Sequence, residues 1–284
     1  MNFYLGCAVW SHKDWVGNFY PPKSQPRDFL NLYSQRLTTV EGNTTFYSVP
    51  SPQTINRWVE QTPPGFKFCP KLNRQITHQG LLVPRMTDAD TFFQRLSGLG
   101  DRLGTIFMQL PPSYSPQYFA DLSQFLQRCS QYGLSLALEV RHLDWFQPEV
   151  DASLNQLLKE LNIARVLLDT RPIYDCPDDP QASSTRRKPK LPLKPEVIGD
   201  LTLIRFISHP HRQYNEAYLK QWTDNLLLWL SQGKTIYFFV HCPQEIYSPE
   251  TAKYFYSLLK AREPSLTSLP WNTIADIPTQ LTLF

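Results

Sequence analysis

The sequence predicts a single (β/α)8 TIM barrel that spans residues 1–284. Eight short apolar segments with strand character recur along the chain, and amphipathic helical patterns separate most of them. Strand–helix alternation of this kind is typical of a parallel sheet with right-handed crossovers, and eight units in 284 residues favour closure into a barrel. No glycine-rich phosphate loop follows the first strand, which argues against a dinucleotide-binding fold.

The predicted strands are apolar runs that mostly end in a polar or charged residue. In chain order they cover 3–10, 38–43, 66–71, 105–110, 134–141, 164–169, 201–207 and 235–241. Alternation in the fifth strand places Leu134, Leu136, Leu138 and Val140 on one face and Ala137, Glu139 and Arg141 on the other. An apolar outer face and an inner face that becomes charged at the carboxyl end are typical of a strand in this barrel.

Helical periodicity fills most of the intervals between the strands. The predicted helices cover 27–35, 88–99, 116–131, 148–161, 215–231 and 248–260, and a further helix starts at Ser51 and Pro52. Serine is a good N-cap and proline fits the first helical turn, so the start of that helix is well defined.

The interval after the sixth strand breaks the pattern. Residues 172–199 are rich in proline and charge, include the basic run 186–190 and show no helical period. We predict an insertion loop within the barrel. A loop of this length is often functional or disordered, and a solvated, mobile loop is the simpler interpretation.

Composition limits the class of protein. Hydrophobic residues make up 42% and charged residues 19%, and the net charge is +3 with a pI of about 8.5. These values fit neither a disordered nor a membrane protein. The net charge is also far below that of a dedicated nucleic-acid-binding protein, which concentrates many basic residues. The five cysteines are odd in number and contain no C-x-x-C pair, and no signal peptide is visible. We therefore expect reduced thiols and a cytoplasmic protein.

The strand ends supply the candidate site, because active sites of this fold lie at the carboxyl ends of its strands. The expected catalytic residues are Glu41, Glu139, Arg141 and Asp169, and the expected substrate-binding residues are Trp10, Asn43, Lys71, Gln109, Arg205 and His241. A ring of charged strand ends must be compensated by pairing, by a metal or by a substrate, because burying unpaired charge is costly.

The residue types at these positions suggest acid–base chemistry on an anion. Arg141 favours the ionised form of Glu139, which makes this carboxylate a base, a metal ligand or a hydrogen-bond acceptor. Glu41 is then the more plausible general acid. Lys71, Arg141 and Arg205 form a cationic floor suited to carboxylate or phosphate. A purely structural ion pair between Glu139 and Arg141 remains the alternative interpretation.

No cofactor is predicted, although a divalent metal remains possible. Zinc or manganese ligands are available in His12, Glu41, Glu139, Asp169, His209 and His241. The sequence has no H-x-H or H-E-x-x-H spacing, however, and three cations at the same rim oppose a dication. Cys69 and Cys242 are candidate nucleophiles, but neither has a base nearby in sequence, and buried inert thiols are the expected state.

Six stretches together resemble the YecE-like family. They are 6–10 (GCAVW), 40–47 (VEGNTTFY), 65–68 (GFKF), 76–78 (ITH), 109–112 (QLPP) and 139–142 (EVRH), and they occur in the right order over nearly the whole chain. The resemblance implies a (β/α)8 barrel and no established reaction. The chain departs from the family pattern in its first motif, at Ala8 and Val9. It also carries His241 and Cys242 where an asparagine pair often follows strand eight.

The combined function hypothesis is an enzyme that acts on a small anionic substrate, phosphorylated or nucleic-acid-derived, by hydrolysis or acid–base chemistry at the strand ends. The alternative is a non-catalytic barrel that binds an anionic ligand or partner through the same polar rim. Nucleic acid is possible but is not supported by the net charge, and no membrane partner is expected. Oligomeric state is left open.

Overall fold

All eight predicted strands are present in the computed structural model, which describes residues 2–185 and 187–273. They are β1 (Phe3–Cys7), β2 (Thr39–Gly42), β3 (Lys67–Pro70), β4 (Ile106–Gln109), β5 (Leu136–Glu139), β6 (Ala164–Asp169), β7 (Leu201–Ile207) and β8 (Thr235–His241). Every strand lies inside its predicted range. The largest difference is at β1, which ends at Cys7 and leaves Trp10 in the following loop.

The helices follow the predicted intervals. They are α1 (Phe29–Ser34), α2 (Thr44–Tyr47), α3 (Pro52–Glu60), α4 (Arg74–Thr77), α5 (Met86–Ser97), α6 (Phe119–Ser130), α7 (Pro148–Glu160), α8 (Glu216–Ser231) and α9 (Ser248–Arg262). The predicted cap of α3 is confirmed, because Ser51 Oγ accepts the Thr54 N–H at 3.2 Å. The single-turn helices α2 and α4 lie outside the predicted helical ranges.

The prediction of a closed eight-stranded barrel is wrong. The ladders are parallel, but they form a six-stranded sheet in the order β1-β8-β7-β6-β5-β4 and a separate two-stranded sheet of β2 and β3. Isolated contacts join the small sheet to β1 and to β4, but neither seam carries a continuous ladder. The sheet is therefore open at both seams.

Side-chain hydroxyls interrupt the seam between β1 and β2. The Tyr33 hydroxyl accepts the Cys7 N–H at 2.6 Å and donates to the Thr39 carbonyl at 2.9 Å, so it bridges two backbone groups that a ladder would pair. Thr38 Oγ1 likewise accepts the Leu5 N–H at 3.0 Å. A Cβ at Gly6 would lie 2.0 Å from the Thr39 carbonyl oxygen, so only glycine permits this close approach of the strands.

The seam between β3 and β4 is interrupted at a proline. Pro70 has no N–H to donate, and only single bridges pair Phe68 with Leu103 and Lys71 with Phe107. Backbone bonds continue on either side, from Gly104 N–H to the Phe68 carbonyl at 2.7 Å and from Leu72 N–H to the Phe107 carbonyl at 3.0 Å. The two strands stay adjacent without a regular ladder.

Two apolar layers flank the strands. The outer layer lies between helices and sheet and contains Leu136, Leu138 and Val140 of the fifth strand region, whereas Ala137 belongs to a separate inner cluster with Phe107 and Phe239. The predicted division of this strand into an apolar outer face and a smaller inner face is confirmed. The inner face therefore presents Glu139 and its neighbours toward the interior at the carboxyl ends.

Residues 172–199 have no helix or strand in their described part, apart from a single 3-10 turn at Arg171–Ile173. Side chains nevertheless fix its course. The Tyr174 hydroxyl donates to the Lys188 carbonyl at 2.5 Å, and the Gln181 side-chain oxygen accepts the Lys188 N–H at 2.7 Å. Within residues 2–185 and 187–273, the helices are too short or too polar to cross a membrane.

Candidate functional site

Charged side chains from four strands meet at the carboxyl ends of the strands. Arg205 of β7 lies at the centre, and its guanidinium reaches Glu41 of β2 and Glu139 of β5. We refer to Glu41, Glu139, Arg141, Arg205 and His241 as the Arg205 cluster. All its members are buried except Arg141, whose side chain is 15% exposed.

The distances show that every carboxylate oxygen of the Arg205 cluster has a partner. Arg205 donates from Nε and Nη2 to Glu41 at 2.8 and 2.9 Å, and from Nη1 to Glu139 at 2.6 Å. Arg141 Nε donates to the second oxygen of Glu139 at 2.7 Å. His241 Nε2 and Asn43 Nδ2 donate to Glu41 at 2.8 and 2.7 Å. Multiple charge-assisted bonds of this kind make the cluster rigid.

Both carboxylates of the cluster are ionised. Burial opposes ionisation, but Arg205 and Arg141 lower the pKa of Glu139 to about 2. Burial opposes the ionisation of Glu41 as well, yet Arg205 and His241 hold its pKa well below the ordinary value. Burial, reinforced by Arg205, lowers the pKa of His241 to about 4, so its imidazole is neutral. Glu41 therefore has no proton to donate at neutral pH, which does not fit the general-acid role that the sequence suggested.

A cavity of about 610 Å³ opens above the Arg205 cluster. Its lining combines strand ends with loop residues: Ala8, Val9, Asn43, Phe46, Tyr47, Lys71, Arg74, His78, Gln109, Arg141, Arg187, Lys188, Arg205, His241 and Glu245. We call this space the Arg205 cavity. Six of the sequence-predicted site residues line it, namely Asn43, Lys71, Gln109, Arg141, Arg205 and His241. Glu41 and Glu139 are not part of the lining, and they bond to Arg205 and Arg141, which are.

Lys71 and Gln109 form a second unit at the floor of the cavity. Lys71 follows β3 and is buried, and its Nζ donates to Gln109 Oε1 at 2.8 Å. The Phe46 ring centroid lies 4.0 Å from the same nitrogen. Burial and the neighbouring Arg205 lower the pKa of Lys71 to about 7. This amine therefore exchanges its proton near neutral pH.

The comparisons with known proteins agree with this architecture. A family model described as "Protein of unknown function DUF72" matches residues 4–273. The chain belongs to the DUF72 family. The resemblance to YecE-like proteins is therefore confirmed. The chain is similar to the UPF0759 protein YecE of Escherichia coli (strain K12), with 32% identity over 287 residues that cover 99% of both chains. It is also similar to the UPF0759 protein YunF of Bacillus subtilis (strain 168), with 28% identity over 51% of this chain and 52% of YunF.

Solved structures of DUF72 proteins share the fold. A DUF72 family protein from Enterococcus faecalis V583 superposes with a TM-score of 0.70 at 20% identity, covering 91% of this chain and 95% of that one. A DUF72 family protein from Thermotoga maritima MSB8 gives a TM-score of 0.69 at 22% identity, covering 92% and 100%. At these identities the likeness concerns the fold alone.

Two of the predicted site residues of this DUF72 chain lie outside both the Arg205 cluster and the Arg205 cavity. Asp169 accepts hydrogen bonds from Arg171 and from Trp222 Nε1 of α8, so it faces the helix layer. Trp10 packs edge-on against Trp58 of α3. Alternation along β6 explains why Asp169 faces outward. Leu168 is paired with the inward-facing Arg205, so the next residue, Asp169, points to the opposite face.

Two loop residues complete the cavity, and the sequence did not single them out as site residues. Lys188 comes from segment 172–199, and burial together with Arg205 lowers its pKa to about 8. Glu245 follows β8, and burial raises its pKa to about 7, although its bond to Ser248 opposes the rise. The only sequence signal for Lys188 was the basic run 186–190, and Glu245 had none. The sequence also did not identify Arg74, His78 and Arg187 as cavity residues, because all three lie outside the strand ends from which the site was predicted.

The carboxylates of the Arg205 cluster already share a positive charge, because the Arg205 guanidinium pairs with both Glu41 and Glu139. Among the described residues, one group of three possible ligands exists elsewhere: Cys176, Asp178 and His209. His209 Nδ1 accepts the His211 N–H at 2.9 Å, which places the imidazole proton on Nε2, where it is 3.1 Å from Asp178. A protonated Nε2 cannot bind a metal, so this group is a hydrogen-bonded pair with a nearby thiol.

Proposed function

We propose that this protein is an enzyme that acts on an anionic substrate, phosphorylated or nucleic-acid-derived, by hydrolysis or acid–base chemistry in the Arg205 cavity. The observation that carries the proposal is the charge of the lining. Six of the fifteen lining residues are Lys or Arg, and one is a carboxylate.

The surplus of positive charge persists after internal pairing. Glu41 and Glu139 neutralise the charges of Arg205 and Arg141, and Asp179 pairs with Arg187. Arg74, Lys188 and the protonated form of Lys71 are left, and they have no carboxylate partner among the described ion pairs. A cavity of this charge attracts a substrate that carries a phosphate or carboxylate group.

Arg141 is the residue best placed to bind that group. Its Nε is fixed by Glu139, while its Nη atoms have no hydrogen-bond partner among the described residues. A guanidinium held at one edge presents its remaining donors in a fixed fork, which matches the geometry of phosphate and carboxylate.

Acid–base capacity comes from Lys71 and Glu245 rather than from the carboxylates of the Arg205 cluster. The pKa of each is near 7, in opposite directions from its ordinary value. One cavity therefore holds an amine and a carboxyl group that both exchange protons at neutral pH, which is the usual requirement for general acid and base.

The test combines binding and turnover. Isothermal titration with sulfate and pyrophosphate should show binding to the wild-type protein, and Arg141→Gln should weaken it about tenfold or more, since one charge-assisted bidentate contact accounts for ~1.5–3 kcal/mol. Arg212→Gln is the matched control, because Arg212 pairs with Glu250 at the exposed surface. Absence of anion binding at low salt would refute the proposal.

A panel of phosphorylated metabolites, sugar acids and nucleotides should then be screened for turnover. A substrate that is converted by the wild-type protein, and not by Lys71→Gln, supports the enzyme. Anion binding with no conversion of any panel member, and an effect of Lys71→Gln on affinity alone, would support the non-catalytic binding protein instead.

A further inference from the structure

Lys71 differs from the other buried cations of the sheet in its partner. Arg165 is also buried, and it forms an ion pair with Asp151. Arg205 is buried as well, and it pairs with Glu41 and Glu139. The described contacts of Lys71 include no carboxylate. Its Nζ bonds to the neutral amide oxygen of Gln109 at 2.8 Å. An amide oxygen accepts a hydrogen bond from an ammonium group and also from a neutral amine, so this contact survives the loss of the proton.

The surroundings of Lys71 favour the neutral amine. The residue is only 7% exposed, so little water solvates the charge, and the Phe46 and Phe107 ring faces, with centroids 4.0 and 5.8 Å from Nζ, offset only part of that loss by cation–π attraction. Arg205 and Arg141 repel an ammonium group, whereas Glu139 and Glu41 attract it. The attraction is weaker than the combined effect of burial and Arg205, so the pKa of Lys71 is lowered. A desolvated lysine next to other cations is the usual setting for an amine nucleophile.

The position of Lys71 determines what it can attack. Its side chain lines the Arg205 cavity together with Arg141, Arg205 and Lys188. An anionic group bound by Arg141 would bring the rest of the substrate into the same 610 Å³ space as the amine. Proximity of this kind converts a slow bimolecular attack into a fast unimolecular one.

We propose that Lys71 is a nucleophile that forms an imine with the carbonyl group of an anionic substrate. Nζ bonds to the carbonyl carbon, the carbon–oxygen double bond is replaced by a carbon–nitrogen double bond, and the oxygen leaves as water with the two amine protons. No oxidant or further reactant is needed. This inference rests on the proposed function and narrows it to aldehydes and ketones that carry a carboxylate or phosphate.

Two properties distinguish Lys71 from Lys188, the other lysine of the cavity. Lys71 directly follows β3 and is held by Gln109, so its amine has a fixed position. Lys188 lies in segment 172–199, and no described hydrogen bond fixes its Nζ. A nucleophile on a strand end is positioned more accurately than one on a long loop.

Reductive trapping tests the proposal on the full chain. The protein is incubated at neutral pH with glyoxylate or glycolaldehyde phosphate and cyanoborohydride, which reduces an imine to a stable secondary amine. Proteolysis and mass spectrometry then quantify the modified fraction of each lysine. Exposed Lys13 and Lys159 are internal controls in the same digest. Acetaldehyde is the uncharged control reagent, and excess sulfate is the competitor for the anion subsite.

Lys71 should be modified at least about tenfold more than the controls. A lysine with a pKa of about 7 has roughly a thousandfold larger free-amine fraction at neutral pH than an ordinary lysine with a pKa of about 10.4. Sulfate should suppress labelling of Lys71 but not of Lys13, and acetaldehyde should label Lys71 less than the anionic reagents do. The relative labelling by glyoxylate and glycolaldehyde phosphate reports whether carboxylate or phosphate is preferred.

Labelling of Lys71 no greater than that of Lys13, or labelling concentrated on Lys188, overturns the inference. Because the sites are mapped on the wild-type protein, the result does not depend on whether Lys71→Gln folds. If sulfate binds by titration while Lys71 is unlabelled, the anion-binding enzyme stands and the imine fails. If sulfate does not bind at all, the proposed function itself fails.

Discussion

Arg205 donates hydrogen bonds of 2.8 and 2.9 Å to the two carboxylate oxygens of Glu41, a residue 164 positions earlier in the chain. Glu41 belongs to the two-stranded sheet and Arg205 to the six-stranded sheet. The pair therefore joins the two sheets through their interior, in addition to the interrupted seams between β1 and β2 and between β3 and β4. The same guanidinium also holds Glu139, so the charged site and the structural junction are one feature.

Removal of the Arg205 guanidinium should destabilise the fold strongly. Arg205→Met leaves Glu41 and Glu139 buried without their central partner, and breaking a buried ion pair costs about 3–5 kcal/mol. Urea denaturation measures the free energy of unfolding. Arg212→Met is the matched control, because its pair with Glu250 is 51% and 63% exposed and surface pairs contribute about 0–1 kcal/mol. A loss below about 1 kcal/mol in Arg205→Met would contradict this account.

Stability should also depend on pH through Glu139. Its pKa is about 2 in the folded protein, against an ordinary value of 4.5. The ionised carboxylate therefore stabilises the fold fully above about pH 4.5, and this contribution is lost as the pH falls toward 2. A pKa lowered from 4.5 to about 2 corresponds to about 3 kcal/mol. The difference in unfolding free energy between wild type and Glu139→Gln should shrink by that amount on acidification. Asp200→Asn, at a carboxylate that is 90% exposed, should show no such change.

Anion affinity should fall as pH rises, because three cavity groups titrate in the same electrostatic direction. Lys71 and Lys188 lose positive charge near pH 7 and 8, and Glu245 gains negative charge near pH 7. His241, with a pKa of about 4, stays neutral throughout. Sulfate is the suitable probe, since its own charge is constant over this range. We expect its affinity to drop about tenfold, or ~1.4 kcal/mol, between about pH 6 and pH 9.

Lys188→Gln should flatten the part of this profile near pH 8 and leave the part near pH 7 in place. Lys194→Gln is the control within the same segment, because Lys194 pairs with Asp151 away from the cavity. An affinity for sulfate that is constant, or that rises with pH, would show that these groups do not face the bound anion.

Strand alternation predicted the residues of the Arg205 cluster well. A strand fixes the direction of each side chain, so Glu139 and Arg141 could be assigned to one inner face from sequence alone, whereas Arg205 was included only for its place near a strand end. The same rule explains Asp169, which was assigned to the site because it ends its strand, although its parity places it on the outer face with Trp222. Trp10 was misplaced because β1 ends at Cys7 and alternation does not extend into the loop.

Loop residues and closure of the sheet could not be predicted in this way. Lys188 reaches the cavity from a long irregular segment and Glu245 from the short connection between β8 and α9, and neither has a strand or helix periodicity to interpret. Their altered pKa values arise from burial in the assembled cavity, which the sequence does not encode locally. The open seam likewise depends on the Tyr33 hydroxyl, a side chain of α1 that occupies the position of a backbone partner.

That hydroxyl provides the last prediction. Tyr33 is fully buried, and Tyr33→Phe removes the acceptor for the Cys7 N–H and the donor to the Thr39 carbonyl without changing the shape of the ring. A buried backbone group without a partner costs about 1–3 kcal/mol, so urea denaturation should show a loss in that range. Tyr132→Phe removes a hydroxyl that bonds to Asp90 at the surface and should cost less than about 1 kcal/mol. Amide exchange at Cys7 should accelerate in Tyr33→Phe and stay unchanged in Tyr132→Phe, because only the first substitution frees that N–H. Unchanged exchange in both variants would mean that the β1–β2 seam closes by direct backbone pairing once the hydroxyl is absent.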